Sequence, residues 1–208
     1  MKQTMLYLTV LLLAACNNNN QLPIYGIKKP ITQVIGGKPV IDSIDYTIPP
    51  FTFYDQDSAV VDSHTVNGKV YVADFFFTSC PSICPKMKKE MLRIYDKYQT
   101  DNNVVLISYS IDPVRDSVAR LKSYAQKLGI DNTAKWHMLT GNKDSIYSLA
   151  DAYLVSAAED PDAPGGHIHS GNFVLIDTHS RIRGYYDGTD TKKVDKLLTD
   201  MDNLLKEE

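Results

Sequence analysis

Two cysteines, Cys80 and Cys84, stand four residues apart in the string Ala73-Asp-Phe-Phe-Phe-Thr-Ser-Cys-Pro-Ser-Ile-Cys-Pro-Lys-Met, and each is followed by a proline. A thiol pair at this spacing can close a disulfide or share one soft metal ion, and metal binding requires the sulfurs to lose their protons. Cysteines also serve as small buried apolar residues. Here the flanking prolines and the position at a change of hydrophobic period favour chemistry over filler.

The elements that must position the pair are legible on either side. Val70 to Phe77 is apolar and aromatic apart from Asp74, as suits a buried strand. From about Ser82 to Tyr98 the pattern turns amphipathic. Met87, Met91, Ile94 and Tyr98 recur on one face, and Lys86, Lys88, Lys89, Glu90 and Arg93 fall largely elsewhere. Pro85 suits a first helical turn, where its missing N–H costs nothing. The thiols therefore sit at a strand-to-helix junction. The positive end of the helix and its free N–H groups favour thiolate there.

The third cysteine has a different setting. Lys2 precedes an apolar run from Leu6 to Ala15, ten residues long and too short for a spanning helix, which needs about 20. Leu13-Ala14-Ala15-Cys16 resembles the lipobox of bacterial lipoproteins, which implies cleavage before Cys16 and acylation of that residue. The polar run Asn17 to Asn20 fits a tether. Residues 1–15 thus read as a lipoprotein signal peptide, and 16–45 as lipidated cysteine plus flexible linker with a short strand at Ile31–Ile35. Residues 46–208 read as one domain. The expected location is the cell envelope, held by a lipid anchor and facing the periplasm or exterior. Such a compartment permits disulfides, so Cys80 and Cys84 read as a working pair.

The net charge is −3, with no arginine-rich run, basic patch or internal repeat, so nucleic acid is excluded as an expected partner. Further along, Val104 to Ile111 reads as a strand. Asp112-Pro113 then reads as the cap and first turn of a helix over about Val114 to Leu128. Trp136 to Gly141 reads as a short strand and turn, and Asn142 to Tyr153 as a helix. Ser156 to Gly171 reads as a long loop ending in Gly165-Gly166-His167-Ile168-His169-Ser170. Strands from Asn172 to Asp177 and Arg181 to Tyr186 precede a last helix from Thr191 to Lys206. Alternating strands and helices, closing in a hairpin and a helix, predict an α/β fold with a central mixed sheet flanked by helices. The thiol pair at the first junction points to its thioredoxin-like version.

Four strings, FFFTSCPSICPKM, LISYSIDPVRD, WHMLTG and HSGNFVLID, resemble in this order the Sco (SenC) family of cytochrome c oxidase assembly factors, over Ile48 to the C-terminus. The resemblance implies a thioredoxin-like fold that binds copper through Cys80, Cys84 and one later histidine, which by position is His169. It also implies a metallochaperone that delivers copper to, or reduces the thiols of, the dinuclear copper site of the oxidase. The implied partner is the copper-bearing oxidase subunit or another envelope copper or thiol protein.

Independent chemistry agrees. Soft thiolates select Cu(I), imidazole adds a third ligand, and Cu(II) is served by a further oxygen or water. Zinc would need a fourth ligand or an open position. The family usually places an aspartate where Ile168 stands here, with His167 before it. In an extended segment His167 and His169 share a side. His167 is then a substitute ligand, a fourth ligand or a solvated bystander. His64, His137 and His179 read as surface residues. The competing readings are a thiol–disulfide oxidoreductase in which Cys80 and Cys84 cycle without metal, and, with less support, a thiol peroxidase. The fold alone does not separate them.

Overall fold

A computed structural model describes residues 21–207; residues 1–15, read above as a signal peptide, and Cys16 lie outside the described residues. The first strands, β1 (Lys29–Ile35) and β2 (Lys38–Ile44), form an antiparallel hairpin that stands apart from the main sheet. Its two-residue turn is Gly36-Gly37, both at positive φ (59° and 78°), which suits the primed turns that match strand twist. The sequence announces one short strand here; β2 mixes apolar, proline and charged residues without a period, and none of them is buried.

Next come β3 (Thr52–Tyr54), β4 (Val60–Asp62) and a single helical turn, α1 (Ser63–Val66). The core begins with β5 (Val70–Phe76), followed by α2 (Cys84–Tyr98), β6 (Val104–Ser110), α3 (Val118–Lys127), β7 (Trp136–Leu139) and α4 (Lys143–Ala152). A small hairpin, β8 (Ala157–Glu159) and β9 (His167–His169), leads to β10 (Asn172–Ile176), β11 (Ile182–Asp187) and α5 (Thr191–Glu207).

The central sheet runs β11-β10-β5-β6-β7. β5, β6 and β7 are parallel, while β10 pairs antiparallel with both β5 and β11. Every residue of β5 and β6 is buried, as expected for strands covered on both faces. Period-two alternation sends Tyr71 and Phe75 to one side, where Tyr71, Tyr109 and Tyr153 at the end of α4 join through their hydroxyls. Asp74 and Phe76 go to the other side, under α2 and α3. There α5 lies along α2, tied by Arg93–Asp195 and Lys97–Asp202.

Two further segments and one side chain depart from the sequence reading. α3 begins at Val118 rather than Val114, and its cap is Ser117, whose Oγ accepts from the Arg120 N–H. Asp112 to Asp116 is instead a tight turn closed by Asp116 N–H to Asp112 C=O at 2.9 Å. The segment Ser156–Gly171 is not wholly irregular, since β8 and β9 pair antiparallel. Strands of three residues are too short for a period to announce them, although His-Ile-His alternates buried, exposed, buried. His137 is not a surface residue. It is buried, with Nδ1 2.9 Å from Asp55 Oδ2.

Candidate metal centre

The segment leaving β5 turns at Thr78, and the carboxylate of Asp116 fixes that turn. Asp116 is fully buried and accepts from Thr78 N–H at 2.9 Å, from the Thr78 hydroxyl at 2.5 Å and from Ser110 Oγ at 2.6 Å. Its role is to hold the approach to Cys80 from across the sheet. Cys80 N–H closes back on Phe77 C=O at 3.2 Å. α2 then opens at Cys84 itself, two residues later than the pattern suggested, with Pro85 in the first turn and no side-chain cap.

The third group arrives from far along the chain. β9 carries His167 and His169 inward and Ile168 outward. Phe77 forms the wall between hairpin and junction, its ring 5.1 Å from His167 and 5.8 Å from His169. Gly165 is required by this approach: a Cβ there would lie 2.7 Å from the Phe77 ring.

Cys80, Cys84 and His169 bring two sulfurs and an imidazole nitrogen within 4.8 Å of one another, the only such group of three among the described residues. Cys84 Sγ lies 3.1 Å from His169 Nε2. His169 Nδ1 donates to the Ser170 carbonyl at 2.9 Å, which leaves the Nε2 lone pair pointing at the sulfurs. His167 is not part of the group. Its Nδ1 is 3.3 Å from the Tyr147 hydroxyl and its Nε2 3.6 Å from Asp112 Oδ2, so it fastens the hairpin to the body. A groove of about 180 Å³ over Cys80 and His169 is walled by Phe77, Ile83, Pro164 and Ile168.

The two thiols are not equivalent. Burial pushes the Cys84 thiol far above its ordinary range, and the neighbouring Cys80 adds to the shift, against the opposing pull of the Phe77 backbone and Lys88. Cys80 is shifted the other way. Burial raises it, but backbone and side-chain hydrogen bonds from Cys84 and Ser82 outweigh that and bring it below the usual thiol range. The helix N-terminus therefore favours thiolate at Cys80 and not at Cys84. Burial also lowers the His169 pKa, so the ring is neutral at neutral pH and available as a ligand.

One part of the surroundings escaped the sequence reading. The helical period puts Lys88 with the polar residues of α2, yet it is 1% exposed and sits one helical turn below Cys84. Its Nζ donates to Asp74 Oδ2 at 2.7 Å and to Ser108 Oγ at 2.8 Å, and lies 4.0 Å from the Phe76 ring centroid. Ser108 Oγ donates to Asp74 Oδ1 and accepts from Trp136 Nε1 at 2.9 Å. The signal was Asp74, a lone carboxylate inside a buried strand that demands a partner.

The SCO1/SenC family model matches residues 42–206. The chain belongs to this family. The SCO1 protein homolog of Bacillus subtilis is 32% identical over 170 residues, covering 80% of this chain and 86% of that protein. A solved structure of BsSco, described as a member of the Sco family of cytochrome c oxidase assembly proteins with a disulfide switch, is 30% identical. It covers 76% of this chain and 92% of its own, with a TM-score of 0.66. The copper-bound structure of Arabidopsis thaliana ScoI is 25% identical, covers 77% of this chain and 98% of its own, and has a TM-score of 0.64. The fold of this Sco chain is accordingly thioredoxin-like, with its thiols at the first β–α junction of the core sheet.

Proposed function

We propose that this protein is a membrane-anchored copper carrier that delivers copper to, or keeps reduced the thiols of, the dinuclear copper site of cytochrome c oxidase. The observation that carries the reading is the convergence of Cys80, Cys84 and the unprotonated Nε2 of His169 within 4.8 Å. Two thiolates and one imidazole make a soft trigonal set suited to Cu(I), with Cu(II) served by an added oxygen ligand. The likeness to copper-bound ScoI and to Sco oxidase assembly proteins supports copper as the cargo and the oxidase copper subunit as recipient. Acylation at Cys16 supplies the anchor, and an envelope location follows from it.

Anaerobic Cu(I) titration against a competing chelator tests the reading. The reduced wild type should bind one equivalent. Cys80→Ala, Cys84→Ala and His169→Ala should each weaken binding by more than the roughly 10–100-fold that loss of an outer partner costs. Unchanged affinity in His169→Ala would remove the copper reading.

A second reading has its own support. One thiol held below its ordinary pKa beside one held above it is the asymmetry of an attacking and a resolving sulfur. In a metal-independent thiol–disulfide oxidoreductase Cys80 would attack, and His169 would tune Cys84 rather than ligate.

A further inference from the structure

Thirteen large apolar side chains are exposed among the described residues, and eight of them fall between Ile24 and Ile44. The β1–β2 hairpin carries most of these, and their placement along it is uneven. The distal half, Thr32 to Ile41, holds Val34, Ile35, Val40 and Ile41, with Lys38 as its sole charge. The base holds Lys28, Lys29, Asp42 and Asp45, with Lys28 and Asp45 paired at 3.0 Å. Apolar residues stand on both faces of the distal half, since Val34 and Ile41 alternate with Ile35 and Val40. No residue of either strand is buried. An isolated hairpin gains nothing from this display in water, where two strands without a covering layer are marginal.

We infer that the tip of this hairpin rests in the head-group layer of the membrane to which the chain is anchored. The inference builds on the proposed acylation of Cys16. Five chain steps separate Cys16 from Gln21, a reach of at most roughly 17 Å. Directly after that the chain is fastened to the body. Arg183 donates to the carbonyls of Leu22 and Pro23 at 2.8 and 3.2 Å, and Tyr25 N–H to Ile182 C=O at 2.9 Å. An anchor at Cys16 thus keeps this side of the body near the lipid surface. A seven-residue strand extends about 23 Å, longer than the roughly 17 Å reach of the tether.

The hairpin does not cross the bilayer. A spanning strand needs about 9–11 residues, and the open edges of a two-stranded sheet leave N–H and C=O groups that hydrocarbon does not satisfy. At head-group depth those groups meet water and phosphates, Lys38 meets anionic lipid, and the apolar tip meets acyl chains. A second copy adding at the strand edges is disfavoured, because each strand carries a proline and a lysine, Pro30 with Lys29 and Pro39 with Lys38.

Tryptophan quenching reads this directly. The chain has one tryptophan, Trp136, fully buried, which serves as an internal reference. The full-length protein, made in a host that acylates lipoproteins, is reconstituted into phosphatidylcholine–phosphatidylglycerol vesicles with and without acyl chains brominated near the head group. Ile41→Trp probes the tip (Ile41 is 80% exposed), and Val114→Trp probes the metal-centre side, which a partner must reach (Val114 is 85% exposed). The brominated lipid should cut the added fluorescence of Ile41→Trp about twofold, by insertion to the acyl boundary, and leave that of Val114→Trp and of wild type unchanged. Quenching of Ile41→Trp no greater than that of Val114→Trp overturns the inference. The mass of the N-terminal peptide decides acylation separately. An acylated chain with an unquenched tip refutes the inference and keeps the anchor. A chain that lacks acyl groups but binds the vesicles and is quenched at residue 41 does the reverse.

Discussion

The opposed shifts of the two thiols predict how Cu(I) affinity depends on pH. Copper displaces a proton from each sulfur that carries one, so affinity rises with pH as long as a ligand remains protonated in the free protein. Burial keeps Cys84 protonated across the accessible range, so it releases one full proton per copper at every pH. That alone tightens binding tenfold per pH unit, about 1.4 kcal/mol. Cys80 lies below the usual thiol range, so it contributes a second tenfold at low pH and progressively less as it ionises. His169 is lowered from the ordinary imidazole value and adds nothing above pH of about 6.5. A plot of log affinity against pH should therefore have a slope between one and two that bends toward one below the pH where free thiols titrate. Across two pH units the gain lies between about 100-fold and 10,000-fold. Chelator competition at fixed free Cu(I), from pH 6.5 upward under argon, measures the slope. Cys80→Ser should give a slope of one without a bend. A wild-type slope that stays at two to high pH, or falls below one, would refute the assignment of a ready thiolate at Cys80 and a held proton at Cys84.

Lys88→Met strips the cation from a carboxylate with no exposure to water. It should destabilise the fold by about 3–5 kcal/mol, seen in urea titration, whereas the double change Asp74→Leu/Lys88→Met should recover most of that loss. Asp116→Ala leaves Thr78 N–H and the Ser110 hydroxyl without their acceptor. About 3 kcal/mol of stability should go, and Cu(I) should bind more weakly because Cys80 follows Thr78. His167→Ala should cost about 1–3 kcal/mol of stability through the lost ring packing on Phe77 and the lost contacts to Tyr147 and Asp112. Its copper stoichiometry should stay at one and its affinity within about tenfold of wild type, as titration of the folded variant would show.

How much of this was legible in the sequence depends on where each constraint lies. β5, α2, β6 and α5 are long, and their apolar periods are set by burial on known faces, so they emerge within a residue or two. The thiols are legible because chemistry limits what a Cys-x-x-x-Cys at a strand–helix junction can do, whereas His169, 85 residues from Cys84, is reached only through the resemblance to the Sco family. What stayed hidden were pairings between distant residues. Asp116 reads as a local helix residue until Thr78 and Ser110 are seen around it. Lys88 reads as solvent-facing because period alone gives a lysine no reason to be inside, and its reason is Asp74, fourteen residues back. His137 hides for the same cause, its partner Asp55 lying 82 residues away. Local pattern carries secondary structure, and only the fold carries the partners of buried charge.

The placement of the three proposed ligands bears on how copper would leave. Cys80 and Cys84 belong to a junction fixed by the central sheet, by α2 and by Asp116. His169 belongs to β9, which pairs only with β8 in a two-stranded sheet outside the central one. No ladder of the main sheet holds the imidazole in place. Its position rests on the Phe77 contacts, the Ser170 carbonyl and the anchorage of His167 to Tyr147 and Asp112. Small strand pairs with few main-chain bonds open at lower free energy than a core sheet. If copper is held as proposed, this topology would let His169 leave first while Cys80 and Cys84 stay in place, with an incoming ligand entering through the groove above Cys80. The order would follow from topology: Cys84 heads a helix packed on the central sheet, whereas the hairpin that carries His169 lies outside that sheet.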